Sequence, residues 1–239
     1  MKHLVYHEKA LKLMNVLPIF SEKQAGLFEE KEKQFGRRLP EALRELYSVE
    51  GIVEWYGLRN QDFLHPLERL EPPVHLDAVE LEIQGVPKKK PGNEAINFFV
   101  ENQDCCSWAI LLNASEDPPV IMHDYWEGKG EYVCERLSTF IYTYAWDALL
   151  CDSPYCMQGV SPSVSGQKLA RLRRLFKEEP PTYEQSDFWT NYRFYDQDWR
   201  VLLENKPQQC HWWIAAGNKD SQMALIQELE PFTVEWDKN

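Results

Sequence analysis

Between Phe35 and Gly51 the apolar residues recur with a helical period. Leu39, Ala42, Leu43, Leu46 and Tyr47 fall at i, i+3, i+4, i+7 and i+8, which predicts an amphipathic helix with one buried stripe. Pro40 suits the first helical position, where the N–H it lacks has no partner to lose. Glu41 places negative charge at the positive end of the helix dipole, and Gly51 offers a left-handed stop. Residues 52–58 then read as a strand carrying the aromatic pair Trp55 and Tyr56.

The same patterning organises the rest of the chain. Leu4, Ala10, Leu11, Met14 and Leu17 predict an N-terminal helix stopped by Pro18. Ser21 with Gln24 has the form of a capping box opening a second helix. Residues 62–70, broken by Pro66, read as an edge strand. The stretch 71–94, with four prolines and Lys88 to Lys90, reads as a long surface connection. Ala95 to Val100, Trp108 to Leu112, Val120 to Asp124 and Tyr132 to Cys134 predict successive strands. Ser138 is then placed to cap a helix burying Phe140, Ile141, Tyr144, Ala145, Ala148 and Leu149. This order predicts an α+β fold, an antiparallel sheet flanked by helices. Residues 153–166, rich in Ser, Pro and Gly, read as a linker between a first domain over 1–152 and a C-terminal α+β extension over 167–239. In that extension Lys168 to Lys177 predicts a short basic helix ended by Pro180 and packed on the acidic first domain. Strand-like stretches at Tyr192 to Leu203 and Cys210 to Ala216 follow, then a helix over 221–229.

Charge changes this picture. The 239 residues carry a formal net charge of −12. Residues 1–159 hold 16 basic and 26 acidic side chains, net −10, and the remainder 10 and 12, net −2. An acidic surface argues against nucleic acid, whose phosphates need clustered Lys and Arg, and suits a basic protein. No apolar run nears the roughly 20 residues needed to span a bilayer. The N-terminal stretch has neither an apolar core nor a small-residue cleavage site, so the expectation is a cytoplasmic protein with no membrane partner. The six cysteines are then expected as reduced thiols.

Candidate chemistry adds little. Cys151 with Cys156, Cys105 with Cys106, His123, and Cys210 with His211 lack two close ligand pairs of zinc spacing, so no metal and no cofactor are predicted. No serine sits in a nucleophile elbow, and 38 acids make carboxylate pairs uninformative, so no catalytic residue is assigned. More informative are Asp124-Tyr125-Trp126-Glu127 and Glu54-Trp55-Tyr56, where acids flank aromatics. Two readings stand for each. The aromatics cover the core while the acids face water, or they anchor a partner.

Several stretches resemble a known family. Gly36-Arg37-Arg38-Leu39-Pro40, the helix after it and Gly51 resemble the signature helix of the SUKH superfamily, the Smi/Knr domain of bacterial toxin-immunity proteins and fungal cell-wall regulators. Trp108 to Leu112 with Glu116-Asp117-Pro118-Pro119-Val120 resembles its central strand and turn, and Leu137 to Ile141 its closing helix. The match runs in order over roughly residues 20–150, with Glu50 where the family commonly has Asn. The resemblance implies a non-enzymatic protein-binding module, an immunity protein that occludes a cognate toxin. The acidic charge suits a basic, nuclease-type toxin. Glu54, Trp55, Asp124, Tyr125, Trp126 and Glu127 are the expected partner-binding residues. A regulatory scaffold for endogenous proteins is the first alternative, and an enzyme working through the C-terminal extension the second.

Overall fold

Helix α1 (Glu8–Met14) buries Ala10, Leu11 and Met14, and its start is held from outside the helix. The Glu45 carboxylate accepts from the backbone N–H groups of Val5, Tyr6 and His7 at 2.7, 2.8 and 2.7 Å. His7 is the N-cap of the helix, and Val5 and Tyr6 are the two residues leading into it, so one carboxylate fixes the chain as it enters α1. The computed structural model of the chain describes residues 4–59, 62–76, 94–125, 129–186 and 188–237. They divide into two units, 1–145 and 146–239.

His7 is fully buried, and its Nε2 lies 2.8 Å from the Ala42 carbonyl, which fixes the neutral tautomer with hydrogen on Nε2. Burial lowers its pKa, against the raising influence of the Ala42 bond and of Glu45 and Asp117. A base depressed on folding takes up more protons in the unfolded state. Its stability contribution is therefore present above the unfolded pKa, about 6.5, and is lost as pH falls below it. The expected slope approaches 1.4 kcal/mol per pH unit at most, about one proton. Denaturant melts between pH 7.5 and 5.5 should show it in the native chain, and His7→Gln, which keeps a donor, should flatten it.

Helix α2 (Lys23–Phe35) follows Glu22, with no side-chain cap, so the expected Ser21 capping box does not form. Helix α3 (Glu41–Ser48) buries the predicted stripe: Leu39, Ala42, Leu43, Leu46 and Tyr47 are all at most 2% exposed. Pro40 is its N-cap, one position earlier than expected. The start is satisfied from a distant loop, since Glu41 N–H donates to the Glu116 carboxylate at 3.0 Å and Ala42 N–H to the Glu116 carbonyl at 2.8 Å. Gly51, at φ 77°, opens a further helix, α4 (Ile52–Gly57). The expected strand here is overturned. Ile52, Trp55 and Tyr56 lie at i, i+3 and i+4 and are all buried, a helical face in a segment whose composition favours strand.

The sheet of the first unit contains β1 (Phe63–Leu64), β2 (Val74–His75), β3 (Glu94–Val100), β4 (Cys106–Leu111), β5 (Val120–Asp124) and β6 (Lys129–Cys134). The order is β1-β3-β4-β5-β6, with β2 also on β3, and every pairing is antiparallel. A bulge between Asn97 and Phe99 lets Phe98 and Phe99 both enter the helical side. Helix α5 (Leu137–Cys151) covers that side; the division between the units falls within it. Its first turn is capped by Asp117, whose carboxylate accepts from Ser138 N–H at 2.9 Å and from Ser138 Oγ at 2.6 Å. Ser138 is thus the capped residue and not the expected cap. Glu116 and Asp117, neighbours in one turn, hold the starts of α3 and α5.

The second unit is also α+β. Its strands β7 (Cys156–Pro162), β8 (Lys177–Thr182), β9 (Thr190–Tyr195), β10 (Trp199–Asn205), β11 (Gln209–Ala216) and β12 (Glu235–Trp236) form an antiparallel sheet ordered β12-β7-β11-β10-β9-β8. The expected linker at 153–166 is overturned, because it contains β7, which pairs with β11 along its whole length. Gly159 looked like a linker residue for another reason: a Cβ there would lie 2.7 Å from the Trp236 ring, so the close approach of β12 requires glycine. The basic helix α6 (Gly166–Leu175) stops at Leu175, before Pro180, which instead lies in the outermost strand β8. Leu169 and Leu172 are used in the core of their own unit with Phe194, Trp212, Ile214 and, from α7 (Lys219–Leu229), Leu225 and Leu229.

Candidate functional site

The sheet of the first unit has two unlike faces. On the helical side lie large rings, among them Phe98, Phe99 and Trp108. On the other, β3, β4, β5 and β6 present smaller side chains. Asn97 pairs with Ala109 and Ala109 with Ile121, and Ser107, His123 and Gly130 form the adjoining row. Ala95, Ala109, Leu111, Ile121 and Tyr132 form a small buried cluster with Leu76. Over it opens a cleft of about 230 Å³ walled by Val74, His75, Asn97 and His123. Its floor is apolar because alternate residues of each strand face the same way, and its walls are polar where Asn97 and His123 interrupt that pattern.

Tyr125 stands beside this cleft. Its ring packs edge-on against the His123 imidazole, with centroids 5.4 Å apart and planes at 84°, and it remains 44% exposed. Its backbone N–H donates to the Cys105 carbonyl at 3.0 Å, which fixes the end of β5. Val74, on the opposite wall, is 47% exposed. An open cleft with an exposed aromatic at its edge and two imidazoles in its walls can take one protruding side chain. The volume falls below the ~300–1,000 Å³ typical of small-molecule sites.

The expected partner residues separate. Glu54 is exposed on α4, as expected of an acid facing water. Trp55 is buried, with its indole under the Arg59 guanidinium at 3.8 Å. It is a core residue, because the helical turn that replaced the expected strand points it inward with Tyr56. The exposed neighbour of Glu54 is Leu58, one turn on and 81% exposed. Asp124 ends β5; its side chain lies outside the described residues, as do Trp126 and Glu127. The Lys88 to Lys90 triplet also lies outside them. Tyr125 alone of the described aromatics in the set is both exposed and beside a cleft.

Val74, His75, Asn97 and Ile121 were not singled out by sequence. Asn97, a polar residue inside Ala95 to Val100, was the one local signal; the others meet only through strand pairing. Among the described residues no group of three or more His, Cys, Asp or Glu side chains is arranged to hold a metal ion. No helix among them is long and apolar enough to cross a membrane. Compared with family models, curated proteins and solved structures, the chain matches none of them, so fold and site rest on this chain's own residues.

Proposed function

We propose that the chain is a non-enzymatic protein-binding module, an immunity protein that neutralises a basic, nuclease-type toxin by occluding it. The observation that carries this reading is the open cleft of about 230 Å³ with Tyr125 exposed at its edge, in a unit of surplus negative charge. Residues 1–145 hold 16 basic and 24 acidic side chains, net −8. A basic partner is drawn to such a surface by long-range attraction, and an aromatic anchor with a small receiving cleft supplies the close contact. The ordered stretches that resemble SUKH domains support the same reading.

The test is affinity capture with the full chain from the cell that makes it, at low and high salt, followed by assay of the captured protein's activity. The expected result is one stoichiometric basic protein, released by salt and inhibited by the chain. Tyr125→Ala should weaken that complex by about 30-fold, the loss of one ~2 kcal/mol anchor. Capture of several endogenous proteins, none of them inhibited, would overturn the immunity reading in favour of a scaffold. Full affinity in Tyr125→Ala would move the binding face elsewhere.

A further inference from the structure

Strand β12 holds the outer edge of β7 by a short seam. On one side β7 pairs along its whole length with β11; on the other, β12 pairs only Glu235 with Val160 and Trp236 with Gly159. One further bond, from Asp237 N–H to the Gln158 carbonyl at 3.0 Å, completes the seam. The fit is nevertheless specific. A Cβ on Gly159 would lie 2.7 Å from the Trp236 ring, 2.8 Å from Val234 Cγ1 and 2.9 Å from the Glu235 carbonyl oxygen, so three consecutive residues seat over one glycine. Val234 and Trp236 also pack, half-buried, against the core of the second unit.

The residue that leads into this arm is strained. Phe232 is fully buried and packs on the Trp212 ring with centroids 5.6 Å apart, so the chain is fixed up to that point. Thr233 then turns at φ 56° and ψ 45°, the left-handed region, with its N–H donating to the Glu230 carbonyl at 3.0 Å. Among the described non-glycine residues at positive φ it is the only β-branched one, and its two branches at Cβ crowd the backbone there.

We propose that the arm of residues 233–237 exchanges between two copies of this chain, each laying its Val234, Glu235 and Trp236 on β7 of the other. The occupant follows from the slot over Gly159. A second copy carries the same three residues in the same order, so every contact of the seam is remade between chains. What differs is Thr233. Closure within one chain holds it in the left-handed turn, whereas an arm that runs outward to a neighbour passes through it extended, as a β-branched residue favours. Exchange thus keeps the β12–β7 contacts and releases the strain of two hinges. Against it stands the entropy of joining two chains, so the exchanged dimer gains on the monomer as concentration rises.

Size-exclusion chromatography with light scattering of the full chain over rising concentration tests this, with a cross-link that reports which chain supplies the arm. Val160 and Glu235 are Cα partners in the antiparallel seam, within reach of a disulfide when both are replaced in Val160→Cys with Glu235→Cys. The expected result is a dimer that exchanges slowly with monomer. On a denaturing, non-reducing gel the oxidised dimer fraction of the double variant should run as two joined chains and its monomer fraction as one, with the native chain as control for its own six cysteines. Thr233→Gly, which takes the left-handed turn freely, should lower the dimer association constant by about 100-fold, about tenfold for each hinge. Thr233→Pro, with φ fixed near about −65° and no N–H for Glu230, should raise it. A chain that stays monomeric at every concentration would overturn the proposal, as would a dimer whose engineered cystines lie within single chains. An association constant unchanged in Thr233→Gly would overturn the role given to the hinge.

Discussion

Phe99→Ala is expected to cost the first unit about 3–5 kcal/mol, the range for truncating a fully buried aromatic. Phe99 is fully buried at the centre of a set of rings drawn from α4, β3, β4 and α5. Tyr56 meets it edge-on at 5.2 Å and 90°, Trp108 at 5.6 Å, Phe140 at 5.8 Å and Tyr144 at 4.7 Å. Offset and edge-to-face pairs are worth about 0.5–1.5 kcal/mol each beyond buried area, so the loss should sit high in the range. The surrounding rings are too large to close the gap without leaving their rotamers. Denaturant unfolding followed by near-ultraviolet circular dichroism should show the earlier midpoint. Phe99→Leu, which keeps most of the volume, should lose less than half as much. A change under about 1 kcal/mol in Phe99→Ala would mean that the bulge at Asn97 does not hold Phe99 at this centre.

That cluster also shows where the sequence could and could not be read. The α3 stripe and the strands β3 to β6 follow from local periodicity, because burial on one face imposes period 3.6 or 2 on neighbouring residues. Ile52 to Tyr56 misled for the same reason in reverse. Its composition favours strand, but Phe99 and the Ile141 carbonyl, which accepts from Tyr56 Oη at 3.0 Å, reward the helix. Neither partner is near in sequence. The caps follow the same logic. Ser21 and Ser138 have capping chemistry, yet Glu22 precedes α2 and Asp117 holds the start of α5 from across the fold. Strand β7 was hidden because Gly159 answers to the Trp236 ring and Pro162 ends its ladder opposite Gln209. Of the site, Tyr125 was legible as an aromatic among acids. The cleft beside it was not, since five strands assemble it.

Arg193→Ala should destabilise the second unit by about 3–5 kcal/mol, the cost of leaving one member of a buried ion pair alone. Arg193 sits in β9 with its side chain 2% exposed, and Asp147, from the end of α5, is 24% exposed. The guanidinium donates through Nε to Oδ1 at 2.7 Å and through Nη2 to Oδ2 at 2.6 Å, a two-point fit that lysine cannot copy. Nη1 donates to Thr182 Oγ1 at 3.1 Å and to the Pro180 carbonyl at 3.4 Å, so the same side chain fastens the proline-containing edge strand β8. Proline has no N–H for the ladder, and the β8–β9 register shifts between Glu179 and Thr182. Arg193 bridges that gap. Arg193→Lys should therefore recover little of the loss. The double variant Arg193→Met with Asp147→Leu should lose much less than Arg193→Ala, because neither charge is left buried. The pH dependence gives an independent check. Burial raises the Asp147 carboxyl above its usual range, and Arg193 opposes that rise. Removing the guanidinium lifts it further. An acid raised on folding favours the native state at low pH, and this contribution is lost as pH rises through its folded pKa. The penalty of Arg193→Met should thus be smaller near pH 4 than near pH 7, as measured by urea midpoints of the variant against the native chain. A penalty independent of pH would mean that packing, and not the stranded carboxylate, sets the cost.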